Sequence, residues 1–198
     1  MNQIRPSSPE TLPARFYSDP ALYQAERREI FAKSWLLIAH ESQIETPNSY
    51  VATSAAGFPI IVVRDKDGTI RAFHNVCRHR AGPLADDGQG KCEGQLVCRY
   101  HGWRYALDGR LASARDFGPA EGFDPREYSL RGVRCESWRG FIFVNMDEKA
   151  EPLGKFIAPL IAKTAHLPLE KFRFERQTTH DINCNWKTYV ENYLEGYH

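Results

Sequence analysis

The middle of the chain alternates short apolar runs with turn residues. Phe58 to Arg64 is followed by the turn Asp65-Lys66-Asp67-Gly68 and then by Thr69 to Asn75, which predicts a β-hairpin. Two more hairpins are predicted where Trp103 to Leu107 turns at Asp108-Gly109, and where Val133 to Trp138 turns at Arg139-Gly140 into Phe141-Ile142-Phe143-Val144. The period changes toward the N-terminus. Ser18-Asp19-Pro20 has the form of a helix start, and Leu22, Ile30, Phe31 and Trp35 supply an apolar face, so one amphipathic helix is expected up to about His40. Beyond residue 150, Pro152, Pro159 and Pro168 break a moderately apolar stretch into a linker with a short helix. Phe172 to Arg176 alternates as a strand does, and Asn185 is placed to cap a helix running from Trp186 to the chain end.

A length of 198 residues holds one domain of ordinary size and part of a second, since domains cluster near about 100–150 residues. The expected division is a helical segment over residues 1–40, a β domain over 41–150, and a linker with the start of another domain over 151–198. Lys and Arg total 26 against 25 Asp and Glu, so there is no basic field to hold a nucleic-acid backbone. The longest apolar runs, such as Pro59 to Val63, fall far short of the roughly 18 residues of a membrane span, and Met1 to Pro9 lacks the apolar core of a secretory signal. The expectation is a soluble, cytoplasmic protein with neither membrane nor nucleic acid as a partner.

Five cysteines at uneven spacings make a poor disulfide framework and raise the question of metal ligation. Cys77-Arg78-His79 and Cys98-Arg99-Tyr100-His101 each pair one thiol with one imidazole in a tight loop after a predicted strand, eighteen residues apart. Taken as a ligand set, these four residues permit a closed tetrahedral Cys2His2 zinc site. Zinc fingers, however, tend to place like ligands together. Loops that each mix Cys with His suit a two-iron cluster, with two thiolates on one iron and two imidazoles on the other. Cys92, Cys135 and Cys184 have no such partners and read as structural thiols.

The segments Cys77-Arg78-His79-Arg80-Ala81-Gly82 and Cys98-Arg99-Tyr100-His101-Gly102-Trp103 resemble the Rieske motif of ring-hydroxylating oxygenase α subunits. The Trp35 region, Asn75-Val76 and Trp138 to Asn145 resemble that family as well, so the likeness covers roughly residues 15–198. It implies a mainly β Rieske domain, an antiparallel β-sandwich with two cluster-binding hairpin loops, after an N-terminal helix and before the start of an α+β, helix-grip-like catalytic domain. Cys77, His79, Cys98 and His101 would hold a [2Fe–2S] cluster, with Trp103 packed over it. One departure is the slightly long interval between the loops, assigned to an extended turn at Asp86 to Lys91. The high-potential respiratory relatives carry Ser after His-Gly and an extra disulfide. This chain has Trp103 there and neither disulfide cysteine, which places the expected potential near about −150 mV, the low end of the Rieske range.

On a helix, Glu191, Glu195 and His198 fall at i, i+4 and i+7 on one face. That pattern is open to three readings. It fits a solvated acidic face, and Glu195 to His198 formally matches the Glu-x-x-His pair of di-iron bundles, although only one copy is present. Asn185-Trp186-Lys187 followed by Glu191 to His198 also resembles the opening of the Rieske oxygenase catalytic domain. By that resemblance His198 matches the first histidine ligand of a mononuclear Fe(II), and Glu195 matches the carboxylate bridging cluster and iron, where relatives acting on quaternary ammonium compounds also have Glu. The remaining iron ligands are not in the sequence, so the chain is expected to be a shortened form of a longer protein. The resemblance further implies an NAD(P)H-dependent reductase or ferredoxin as electron donor, O2 and a small organic substrate, and a homotrimer with or without a β subunit. A free-standing Rieske ferredoxin is the rival reading that residues up to about 150 alone allow.

Overall fold

The computed structural model of the chain describes residues 11–115 and 121–195. Its centre is the apolar run that opens the first predicted hairpin. In strand β3 (Phe58–Arg64), Ile60, Ile61, Val62 and Val63 are all fully buried. Successive strand residues face opposite ways, so Ile61 and Val63 join one core with Ala52, Phe73, Trp103 and Tyr105, while Ile60 and Val62 join a second with Val51, Ala72, Ile142 and Val144. Each such side chain contributes about 1.5–3 kcal/mol by leaving water.

The strands before and around this run are β1 (Leu36–His40), β2 (Ser49–Ala55), β4 (Ile70–His74) and β5 (Gly88–Lys91). They are followed by β6 (Gln95–Val97), β7 (Arg104–Ala106), β8 (Leu111–Ser113), β9 (Gly132–Trp138) and β10 (Phe141–Asn145). All pair antiparallel, in a seven-stranded sheet of order β1-β10-β9-β4-β3-β2-β5 and a three-stranded sheet β6-β7-β8. The mainly β architecture agrees with the expectation, as do the three hairpins. The two-residue turn Arg139-Gly140 has φ of +49° and +88°, the left-handed pair that matches strand twist, and Ala56-Gly57 repeats it at +50° and +76°.

Four expectations are corrected. The single helix up to His40 is instead α1 (Arg15–Ser18), α2 (Pro20–Glu29), a 3-10 turn at Phe31–Lys33 and then strand β1. Asp19 caps α2 by accepting from the Ala21 amide, as its sequence implied. What ends the helix is the free edge of β10, which pairs with Leu36 to His40, while Trp35 turns into a small core with Leu153 and Ile157. The turn expected at Asp86 to Lys91 is in part the edge strand β5, where Gly90 lies under the Tyr50 ring and leaves no room for a Cβ. Phe172 to Arg176 forms no strand. The Phe174 amide donates instead to Ser42 Oγ at 2.8 Å. The last helix, α5 (Trp186–Leu194), stops before Glu195, whose backbone is extended at φ −79°, ψ 111°.

Between these regions the linker carries two short helices, α3 (Leu153–Phe156) and α4 (Ala158–Lys163), where a short helix was expected. Among the described residues no helix is long and apolar enough to cross a membrane.

Candidate cluster site

Both Cys/His loops are built to one plan. In the first, the Cys77 amide donates to the Gly82 carbonyl at 2.8 Å and the Ala81 amide to the Cys77 carbonyl at 3.0 Å. In the second, the Cys98 amide donates to the Trp103 carbonyl at 2.9 Å and the Gly102 amide to the Cys98 carbonyl at 2.9 Å. The residue four after each cysteine is left-handed, Ala81 at φ +56° and Gly102 at +70°. For Ala81 this conformation carries a steric cost that the loop's hydrogen bonds must offset. The loops meet at Gly82, where a Cβ would lie 3.5 Å from Cys98 Sγ and 3.4 Å from Tyr100 Cβ.

Asn75 folds the return of the first loop. Its buried side chain accepts from the Leu84 and Ala85 amides at 2.9 and 3.2 Å and donates to the Ala85 carbonyl at 2.8 Å. The second loop sits on the β6-β7 hairpin, and its rear wall is Trp103, whose indole stacks on the His79 ring at 4.8 Å and 9°. Phe123 and Tyr128 support Trp103 edge-on at 6.1 and 5.7 Å.

The four predicted donors are brought together as two pairs at different depths. Cys77 and Cys98 are only 3% and 2% exposed and are part of the core. His79 is half-buried and His101 exposed, with ring centroids 4.8 Å apart, and His101 stacks on the outward Tyr100. Among the described residues no three His, Cys, Asp or Glu side chains converge as a single metal ion requires. Two thiols below and two imidazoles above fit a cluster whose two irons each take one kind of ligand, and do not fit a closed tetrahedral zinc site.

The protonation chemistry fits as well. Burial raises the Cys77 thiol above its ordinary range, against the pull of the Tyr105 hydroxyl and the His79 amide, and the adjacent Cys98 thiol adds to the rise. A thiolate at this depth therefore needs a cation beside it, which bound iron supplies. Burial, then the neighbouring His101 and Arg80, lower His79, keeping its imidazole in the neutral form that ligates metal.

Tyr105 was not singled out from the sequence. It is fully buried, its hydroxyl accepts from the Arg78 amide at 3.0 Å and lies 3.1 Å from Cys77 Sγ. Burial and the Cys77 contact raise its pKa, so the hydroxyl keeps its proton and donates it toward the sulfur once that sulfur is a thiolate. The inward alternation of Trp103, Tyr105 and Leu107 was the available signal. A hydrogen bond to a ligand sulfur stabilises the reduced state, so this contact acts against the low potential expected from Trp103.

The other cysteines have separate surroundings. Cys92 donates to the Asn48 carbonyl at 3.2 Å, and burial, with Glu136 and Glu41 nearby, pushes the Cys135 thiol up to about 12. Cys184 is exposed and belongs to no core, contrary to its reading as a structural thiol. At the far end, Glu195 is exposed at the C-cap of α5, and His198 lies outside the described residues. The predicted common helical face of Glu191, Glu195 and His198 does not extend past Leu194 as helix.

Comparison with known proteins bears on the family of the chain. Residues 34–124 match the Rieske [2Fe-2S] domain, and residues 169–198 match the ring hydroxylating alpha subunit (catalytic domain). The carnitine monooxygenase oxygenase subunit of Escherichia coli K12 is 38% identical over 195 residues, covering 98% of this chain and 52% of the relative. The glycine betaine monooxygenase oxygenase subunit of Chromohalobacter salexigens is 38% identical over 189 residues, covering 95% of this chain and 42% of the relative. Thus the chain spans roughly half the length of the curated relatives it matches. The crystal structure of the quaternary ammonium Rieske monooxygenase CntA with gamma-butyrobetaine superposes with a TM-score of 0.87 at 35% identity, covering 93% of this chain and 53% of that one. The chain joins a Rieske domain, which implies a [2Fe–2S] cluster, to a match with the opening of a catalytic domain, which implies mononuclear iron, and over nearly its whole length it is similar to Rieske oxygenase subunits.

Proposed function

We propose that this chain supplies the electron-receiving part of a Rieske non-haem iron monooxygenase acting on a small quaternary ammonium compound. The observation that carries the proposal is the pair of matched loops, with both thiols in the core and both imidazoles at the surface. Cys77 and Cys98 would hold the inner iron and His79 and His101 the outer one. When bound, the cluster supplies single-electron relay and the catalytic iron supplies O2 activation.

The protein's own groups define what that relay meets. Trp103 stacks on His79, the Tyr105 hydroxyl holds a proton against Cys77, and the exposed His101 ring would be where an electron enters or leaves. Glu195 would bridge toward the catalytic iron, with His198 as its first histidine ligand. Residues 41–150 would act as the cluster domain, 1–40 as its helical preface, and 151–198 as the linker into the catalytic domain. An NAD(P)H-dependent reductase or ferredoxin would deliver electrons, and a homotrimer would set the cluster of one subunit beside the iron of the next. The substrate class is supported by the carnitine and glycine betaine relatives and by glutamate at position 195.

The first test is the visible and EPR spectrum of the purified chain after dithionite reduction. A red-brown protein with the rhombic signal of a mixed Cys/His two-iron cluster is expected; a colourless, EPR-silent protein with stoichiometric zinc would overturn the reading. O2-dependent conversion of carnitine or glycine betaine by the full-length protein with reductase and NAD(P)H tests the substrate class.

A further inference from the structure

Helix α2 holds two parts of the molecule from adjacent residues. On one side Arg27 donates from Nε to the Ala56 carbonyl and from Nη2 to the Gly57 carbonyl, both at 2.8 Å, with its guanidinium 4.9 Å from the Phe58 ring centroid. That turn opens β3, whose Pro59 carbonyl accepts from the Asn75 amide at 2.9 Å, and Asn75 is the residue that folds the first Cys/His loop. On the other side the Glu26 carboxylate accepts from Lys187 Nζ at 2.5 Å and from Trp186 Nε1 at 2.8 Å. The Glu26 and Lys187 side chains are only 12% and 10% exposed.

Further polar contacts join the same pieces. The Tyr17 hydroxyl donates to Glu191, Asn185 Nδ2 donates to the Tyr17 carbonyl at 3.2 Å, and Phe31 meets the Trp186 ring edge-on at 5.0 Å. Among the described residues, little else holds α5. Lys187 is its one buried residue, while Tyr189, Val190, Tyr193 and Leu194 are 39–80% exposed. An apolar patch would let a helix slide or roll, whereas an indole N–H and an ammonium, each aimed at its own carboxylate oxygen, fix both its height and its rotation.

We propose that Glu26 and Arg27 form a positioning bracket that fixes α5, and with it Glu195, on the cluster domain of its own subunit, and so sets Glu195 against the cluster of the neighbouring subunit in the assembled trimer. The N-terminal helix is then part of the electron-transfer apparatus, although it touches neither metal site. The bracket rests on the reading of Glu195 as the bridge between cluster and catalytic iron. Neither residue is a catalytic residue; both act through the elements they hold.

The test uses the full-length oxygenase with its cluster and iron loaded, and reads amide exchange as well as turnover. Glu26→Ala and Arg27→Ala are each expected to raise hydrogen exchange of the α5 amides at residues 189–194 about tenfold, with β2 to β4 unchanged. Product formed in a single turnover from the pre-reduced protein should fall about tenfold or more, with the visible spectrum and cluster potential as in the parent. Glu26→Gln paired with Lys187→Met should recover most of both, because no ion is left buried without its partner. Should an alanine variant lose its cluster, Glu26→Gln and Arg27→Lys, which change little volume, are read instead. Unchanged α5 exchange and unchanged single turnover in both positions would overturn the bracket. Glu195→Ala separates the two ideas: parental single turnover in that variant removes the bridge, while amide exchange still judges the bracket.

Discussion

The cluster loops and helix α5 are held in opposite ways. Cys77 and Cys98 lie in a core with Ile61, Val63, Trp103 and Tyr105, and the loops around them close through their own backbone hydrogen bonds. Within the described residues helix α5 leaves its apolar residues exposed and meets α1, α2 and Phe31 through a few charged, polar and aromatic contacts. The difference teaches where tolerance lies. A site embedded in a core fails by loss of packing, whereas a helix held by directed ions fails by loss of position.

The largest expected effect is on the core side. Cys98→Ser should abolish the red-brown chromophore, while Cys184→Ser, exposed near α5, should leave spectrum and iron content unchanged; equal effects would break the comparison. Next, Trp103→Ala should lower stability by about 3–5 kcal/mol in denaturant titration, whereas Tyr193→Ser should stay within about 0.5 kcal/mol. Tyr105→Phe should cost about 1–3 kcal/mol by leaving the Arg78 amide without its acceptor, and protein-film voltammetry should show the cluster potential lowered.

Acid sharpens the contrast from the other side. Burial alone would raise the Glu26 carboxyl, but the hydrogen bonds from Lys187 and Trp186 and the Lys187 charge outweigh it and hold it below its ordinary range. With the folded pKa below the unfolded one, its contribution is present above the unfolded value of about 4.3 and is lost as pH falls through the folded value. Glu26 faces Lys187 across the contact and adjoins Arg27 on its own helix. Exchange of the α5 amides should therefore rise at a pH where β3 remains protected. The smallest effect is chemical. At pH 8 iodoacetamide should modify Cys184 in the native protein and leave Cys135, with its thiol near 12, unmodified until the fold opens.

Several of these features were legible in the sequence and several were not. The hairpins at Asp108-Gly109 and Arg139-Gly140 were, because turn residues and period-2 alternation are local. The Asn185 cap was legible for the same reason, and the structure shows it accepting from the Lys187 amide. Strand β1 was not, since Leu36 to His40 fits a helix face until the free edge of β10 is beside it. Phe172 to Arg176 failed in the opposite sense, having the strand pattern but pairing with no strand. Tyr105 was visible only as one apolar position among three until the fold put its hydroxyl against Cys77.

By itself the sequence determined the four candidate ligands, their division into two mixed loops, the antiparallel hairpins beside them, and the α2 and α5 helix starts. Those depend on residue type and on spacings of a few residues, which the chain cannot alter by folding. Tertiary structure alone decided that thiols lie beneath imidazoles, that Tyr105 reaches Cys77, and that Glu26 and Arg27 look to opposite neighbours. The two loops lie 21 positions apart at their cysteines and the other contacts join residues 28 to 161 positions apart, and such contacts exist only once the sheets have packed.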